Sequence, residues 1–166
     1  MHNLNIPIIL LAAGQSSRMR GRDKLLEMVD GQPLLRRQAA MALAVTDAPV
    51  LVALPVAPHP RYDAIEGLAV TQVPVPDSAE GMNASLRRCF AGLPQDAPAA
   101  MLLLADLPEL TQIDLNKVMQ SIDLNTDKSI WRGATSSGKP GHPIVFAAEH
   151  FGKFASLTGD SGGRDI

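Results

Sequence analysis

Residues 10–26 read LLAAGQSSRMRGRDKLL, and this stretch decides how the rest of the chain is read. It continues an apolar run, Ile6-Pro7-Ile8-Ile9-Leu10-Leu11, that breaks at Ala12-Ala13-Gly14. A small polar loop follows, then Arg18, Arg20, Arg22 and Lys24, so four of the 15 basic residues fall within seven positions against one acid, Asp23. A buried strand that ends in a glycine turn and runs into clustered donors is the way an α/β protein holds a phosphate-bearing ligand.

Working outward, 166 residues with 46% hydrophobic content suit one soluble domain with a sizeable core. No apolar run approaches the roughly 20 residues that span a bilayer, so no membrane contact is expected. The chain reaches its first apolar run without a charged lead or a small-residue cleavage site, which reads as a strand rather than a signal peptide. A single cysteine, Cys89, excludes an intrachain disulfide framework and suits a cytoplasmic protein. The net charge of −2 gives no global attraction for nucleic acid. Any affinity for anions is therefore local, and residues 18–24 are the local candidate.

Residues 6–11, 49–54, 69–73 and 100–105 are short apolar segments without clean alternation, the pattern of strands covered on both faces of a parallel sheet. Between and after them lie helical patterns. Over 112–124, Leu115, Val118, Met119 and Ile122 share a stripe, with Thr111 as N-cap and Asp114 three residues on. Over 83–93 the stripe is Leu86, Cys89, Phe90 and Leu93, which makes Cys89 a core residue. Pro33 opens a helix over about 34–45. A short strand and turn are expected between Lys24 and Pro33, a further strand near the sheet edge over 144–147, and proline-stiffened loops over 55–60 and 74–76. Strands alternating with helices give a right-handed doubly wound sheet. Its ligands bind at the carboxyl ends of the strands, and the chemically suggestive residues cluster after strands: 14–24, 80–85 and Asp106.

Arg18 offers a planar fork of donors and Lys24 a mobile point charge, whereas Arg20 and Arg22 read as a solvated face. The loop is neither GxxxxGK[ST] nor GxGxxG. Asp106 either ends its strand in an Asx-turn set by Pro108 or supplies a hard oxygen to Mg²⁺ bridging phosphates. In Gly81-Met82-Asn83-Ala84-Ser85, Asn83 or Ser85 is expected to cap a helix, and that helix end could also hold a ligand's polar edge. His142, in Gly138-Lys139-Pro140-Gly141-His142-Pro143, reads as a structural hydrogen bonder, and 159–164 (GDSGGR) as a glycine-rich acidic turn.

Taken in order, LAAGQSSRM with DKLL, GMNAS, LLADLP, GKPGHPIVF and GDSGGR resemble the signature segments of MobA-like NTP transferases. Within that family they are most similar to molybdenum cofactor cytidylyltransferases. The resemblance implies an α/β, Rossmann-like three-layer α/β/α NTP-transferase fold with a mostly parallel sheet. It implies Mg²⁺-dependent transfer of a nucleotidyl group from an NTP to a phosphorylated small acceptor such as molybdopterin, with release of pyrophosphate. Arg18 and Lys24 would be catalytic. Leu11, Ala12, Ala13, Gly14, Arg18, Lys24, Gly81, Met82 and Ser85 would bind nucleotide, Asp106 would bind the metal, and His142 and Asp160 would line the acceptor side. Ala13, where guanylyl-transferring relatives carry glycine, leans toward CTP. Transient contact with a molybdoenzyme or its chaperone is implied as well.

The chain departs from the pattern in two ways. Asn83 stands where glycine is usual, and residues 19–24 (MRGRDK) carry one residue more than the common RMGxxK. The family pattern also continues past GDxGAR through a further strand and an Asp-containing segment, so the chain reads as short at its C-terminal end. The altered loop and short end motivate two further readings, a module that binds NTP without transferring from it and an α/β domain for an unrelated phosphometabolite.

Overall fold

In the computed structural model, residues 5–14, 23–134, 140–154 and 156–157 are described. Six strands form the central sheet: β1 (Ile8–Leu11), β4 (Val50–Leu54), β5 (Thr71–Pro74), β6 (Ala99–Leu104), β7 (Ile130–Ala134) and β8 (Pro140–Ala147). Their spatial order is β5-β4-β1-β6-β8-β7. The first four run parallel, whereas β8 is antiparallel to both β6 and β7. The remaining two strands, β2 (Met28–Val29) and β3 (Gln32–Pro33), make a small antiparallel hairpin apart from that sheet.

The continuous apolar runs are explained by two cores. In β1, Ile8 and Leu10 face one side, with Val50, Val52, Met101 and Leu103. Ile9 and Leu11 face the other, with Leu51, Ala53, Ala100 and Leu102. Both faces are covered, so alternation in direction leaves no alternation in polarity. The first core is closed by α1 (Leu34–Val45) and α4 (Gln112–Ser121). The second is closed by α3 (Met82–Ala91) and α5 (Phe151–Phe154), where Phe90 stacks on Phe154 at 3.8 Å between ring centroids. The sequence-predicted helices map onto α1, α3 and α4. The capping box at α4 forms, with Thr111 and Asp114 each accepting from the other's backbone N–H.

Several expectations are corrected. The segment 144–147 is no edge strand: it belongs to β8, which lies between β6 and the unanticipated β7. The segment 69–73 is not buried on both faces, because β5 is the sheet edge and Thr71, Gln72 and Pro74 are exposed. The proline-stiffened stretch 55–60 ends in a helix, α2 (Pro60–Ala64), which His59 caps by accepting from Arg61 N–H. After Asp23 the chain makes a 3-10 turn, Lys24–Leu26, before the expected strand and turn. No helix among the described residues is long and apolar enough to cross a membrane.

Candidate functional site

The ladder runs on past the ends of the central strands: Ala12 N–H donates to Ala53 O at 2.9 Å, and Ala105 N–H to Leu11 O at 3.3 Å. These extensions place the backbone after β1 beside the turn after β6. Between them and the start of α3 opens a cleft of about 580 Å³. Leu11, Ala12, Ala13 and Gly14 line one wall, Ser78, Ala79, Gly81, Met82 and Ser85 line the other, and Leu25, Leu104 and Asp106 complete it. It sits at the carboxyl ends of β1 and β6, where an open α/β sheet binds its ligands.

Each wall has a local cause. Small residues at 12–14 let backbone approach whatever enters the cleft. On the opposite wall a 3-10 turn (Ser78–Glu80) leads into Gly81, which adopts φ +116° and ψ −171°, a region essentially restricted to glycine. Gly81 is the N-cap of α3 and no side chain caps the helix, contrary to the expectation for Asn83 or Ser85. Both are instead buried in the first turn, with Ser85 lining the cleft. The positive end of the α3 dipole therefore faces the cleft, an arrangement that favours an anion. Arg87 and Arg88 reach back from α3 to pin this wall. Arg88 Nε donates to Asp77 Oδ1 at 2.8 Å, and Arg87 pairs with Asp77 at 3.0 Å and Glu80 at 2.8 Å. The Arg88 hydrogen bond is the main cause that holds the Asp77 carboxyl below its ordinary range.

Asp106 is half-buried and lines the cleft. Lys24 Nζ donates to its backbone carbonyl at 3.1 Å. The extra residue in the preceding loop thus does not keep Lys24 from the Asp106 turn, although Lys24 is not among the cleft-lining residues. Asp106 offers one hard carboxylate at the cleft, and no group of three or more His, Cys, Asp or Glu side chains gathers among the described residues. A single carboxylate fits Mg²⁺, which keeps waters and takes its other oxygens from phosphates.

His142 lies on β8, outside the cleft lining but within electrostatic range of Asp106. Its Nδ1 is buried with no hydrogen-bond partner among the described residues. Burial first, then the nearby Arg132 charge, lowers its pKa, while a hydrogen bond with the Leu102 backbone and the charge of Asp106 oppose the shift. Arg18 and Asp160 lie outside the described residues, as do Arg20, Arg22, Lys139 and the 159–164 segment.

Sequence reasoning missed Ser78, Ala79, Leu25 and Leu104, and it missed Arg61. Although charged, Arg61 is only 1% exposed. Its Nε and Nη2 donate to Asp23 Oδ2 and Oδ1 at 2.8 and 3.1 Å, and its Nη1 donates to the carbonyls of Ala12 and Gly14 at 2.7 and 2.8 Å. The available signal was His59-Pro60, a cap followed by proline at the first helical position, which announces the helix but not the reach of the arginine.

Comparison with known proteins agrees with this architecture. A probable molybdenum cofactor guanylyltransferase of Synechococcus elongatus is 34% identical over 123 residues, which is 73% of this chain and 60% of that protein. The chain thus spans about 60% of the length of the curated relative it matches. A mycobacterial homologue of Rv0371c, from Mycobacterium sp. strain JC1, superposes with TM-score 0.79 at 27% identity, over 95% of this chain and 78% of that one. Rv0371C of Mycobacterium tuberculosis, in complex with manganese, superposes with TM-score 0.77 at 24% identity, over 97% and 84%. The fold is the α/β, Rossmann-like one that the resemblance implied. Residues 8–166 match the MobA-like NTP transferase domain, and the chain belongs to that family.

Proposed function

We propose that the chain transfers a nucleotidyl group from an NTP to a phosphorylated pterin of the molybdopterin type and releases pyrophosphate. The observation that carries this reading is the cleft itself, where small-residue backbone after β1, the N-terminus of α3 and the Asp106 carboxylate converge on one space. Such convergence suits a triphosphate: backbone and helix dipole on the anion, a carboxylate for its counter-cation. The name of the Synechococcus relative supports the molybdenum cofactor as acceptor.

In this reading the backbone of Ala12–Gly14 and the first turn of α3 orient the nucleotide. Leu11, Met82 and Ser85 shape its pocket. Lys24, held against the Asp106 turn, and Arg18 balance charge that builds on the phosphates in the transition state. His142 and Asp160 serve the acceptor side. Asp106 would hold Mg²⁺, which supplies charge neutralisation and bridging of phosphate oxygens when bound. The acceptor phosphate is already anionic, so in-line attack on the α-phosphorus requires positioning rather than a dedicated base.

CTP is the proposed donor, supported by Ala13, whose buried methyl narrows the cleft wall. GTP is the second reading, favoured by the guanylyltransferase name of the relative. A brief association with a molybdoenzyme or its chaperone, to hand over product, belongs to the same proposal.

Thermal melting with each of CTP, GTP, ATP and UTP, with and without Mg²⁺, tests both. A nucleotide at 100 times its Kd adds about 2.7 kcal/mol to the folded state. A Mg²⁺-dependent rise with one nucleotide identifies the base, and pyrophosphate release on adding the pterin separates transfer from mere binding. No rise with any nucleotide overturns the reading.

A further inference from the structure

We propose that Arg61 is the positioning residue of the nucleotide-binding loop, clasping its two ends so that the backbone after β1 presents its amides to the nucleotide. The inference rests on the nucleotide-binding reading above. Gly14 and Asp23 stand on either side of residues 15–22. One guanidinium bonds both: Nη1 to Gly14 O, Nε and Nη2 to the two oxygens of Asp23. Arg61 therefore closes the loop at its base from a third segment of the chain, sparing the bound state much of the entropy of bringing those ends together.

The clasp also sets peptide orientation. In a trans peptide the N–H points opposite to the C=O. Because Ala12 O is drawn toward Arg61 at 2.7 Å, the N–H of Ala13 is turned away from it. The grip extends to the metal-side residues. Asp23 Oδ1 also accepts from Leu25 N–H at 3.0 Å, starting the 3-10 turn that places Leu25 at the cleft and sends Lys24 to Asp106 O. Arg61, Asp23, Lys24 and Asp106 thus form one connected path from loop base to carboxylate.

Burial of a guanidinium is costly unless it is fully paired. Here the pair with Asp23 is bidentate, the side chains are 2% and 15% exposed, and the other donors go to carbonyls. Lysine has no planar fork and cannot span these acceptors together. Helix α2 is held independently, since Arg36 Nη1 donates to Ala64 O at 3.2 Å and Glu66 O at 2.8 Å near its C-terminal end. Arg36→Ala therefore loosens α2 without touching the clasp.

The test measures the Kd of whichever nucleotide the unmodified chain binds with Mg²⁺, for Arg61→Lys, Arg61→Ala, Asp23→Asn and Arg36→Ala, each with its melting temperature. Arg61→Lys and Arg61→Ala are expected to raise Kd about tenfold or more, and millimolar guanidinium chloride to recover affinity in Arg61→Ala. Arg36→Ala is expected to melt earlier while its Kd stays within about twofold. If Arg61→Ala does not fold, Asp23→Asn decides: a raised Kd supports the clasp and an unchanged one overturns it. A folded Arg61→Ala with unchanged Kd, or an affinity loss that simply tracks melting temperature across all four variants, also overturns it. An unmodified chain that binds no nucleotide overturns the functional reading and this inference with it, whereas binding that survives loss of Arg61 overturns this inference alone.

Discussion

Phe154→Ala tests how much of the second core depends on the short helix α5. Phe154 is fully buried. Its ring is stacked on Phe90, with 3.8 Å between centroids and 1° between planes, and meets Phe146 edge-on at 5.0 Å and 78°. A buried aromatic of this size withdraws about 150–200 Å² from water, which at about 25 cal/mol per Å² is about 4–5 kcal/mol. Alanine keeps the Cβ share of that burial, while the residual cavity and the lost ring pairing add cost, so truncation is expected to remove about 3–5 kcal/mol. Helix α5 has four residues and can settle inward more readily than a long helix, which places the expectation near 3 kcal/mol rather than 5. Urea unfolding followed by circular dichroism measures the loss directly. At about 2–4 °C per kcal/mol for a domain of this size, melting should fall by about 6–12 °C. A loss below about 1 kcal/mol with an unchanged urea slope would refute the reasoning, because it would show that the aromatic stack does not hold the second core together.

Gly81→Ala should cost about 1–3 kcal/mol of stability and weaken nucleotide binding, since φ +116° is forced on a residue with a Cβ at the cleft wall; parallel melting and titration check both. Lys24→Ala should lower turnover about 10²–10³-fold, equivalent to about 3–4 kcal/mol of transition-state stabilisation, and steady-state pyrophosphate release within about threefold of the parent would remove Lys24 from the mechanism. Because the folded state holds His142 below its ordinary pKa, the unfolded chain takes up a proton first as pH falls. Stability from this site is complete above about pH 6.5 and is lost as pH drops through that value toward the lower folded one. Urea midpoints from pH 7.5 to 5 should therefore fall more steeply for the parent than for His142→Gln.

Much of this molecule was legible because its local signals are consistent. In α4, apolar spacing and the Thr111–Asp114 box name the same helix that packing selects. The walls at 12–14 and 81–85 were legible because small residues after an apolar run have few other uses. Strand β7 escaped because Trp131, Arg132 and Gly133 give no sustained apolar pattern, and the strand carries a register shift between Arg132 and Ala134. Gly133 is needed there, since a Cβ would approach His142 O to 3.0 Å, a constraint visible only once β8 is alongside. Strand β5 read as buried because Val70 and Val73 resemble core, yet edge position is a property of the whole sheet. Arg61 was illegible for a similar reason: its partners lie in segments far away in sequence, and no periodicity links them.

The strand order has a consequence for how the chain acquires its structure. β1 sits in the middle of the sheet, and Ile8 pairs with Val50 on one side and Met101 on the other. The earliest strand is thus completed only by contacts of long sequence separation. Topologies dominated by such pairings fold slowly, on the millisecond-to-second scale rather than the microsecond scale of helical bundles. Until β6 arrives, one hydrogen-bonding edge of β1 stays open along its whole apolar length, a template for mispairing with another nascent copy. Yield on overproduction should accordingly respond more to synthesis rate and chaperone supply than to changes in the surface of the finished molecule.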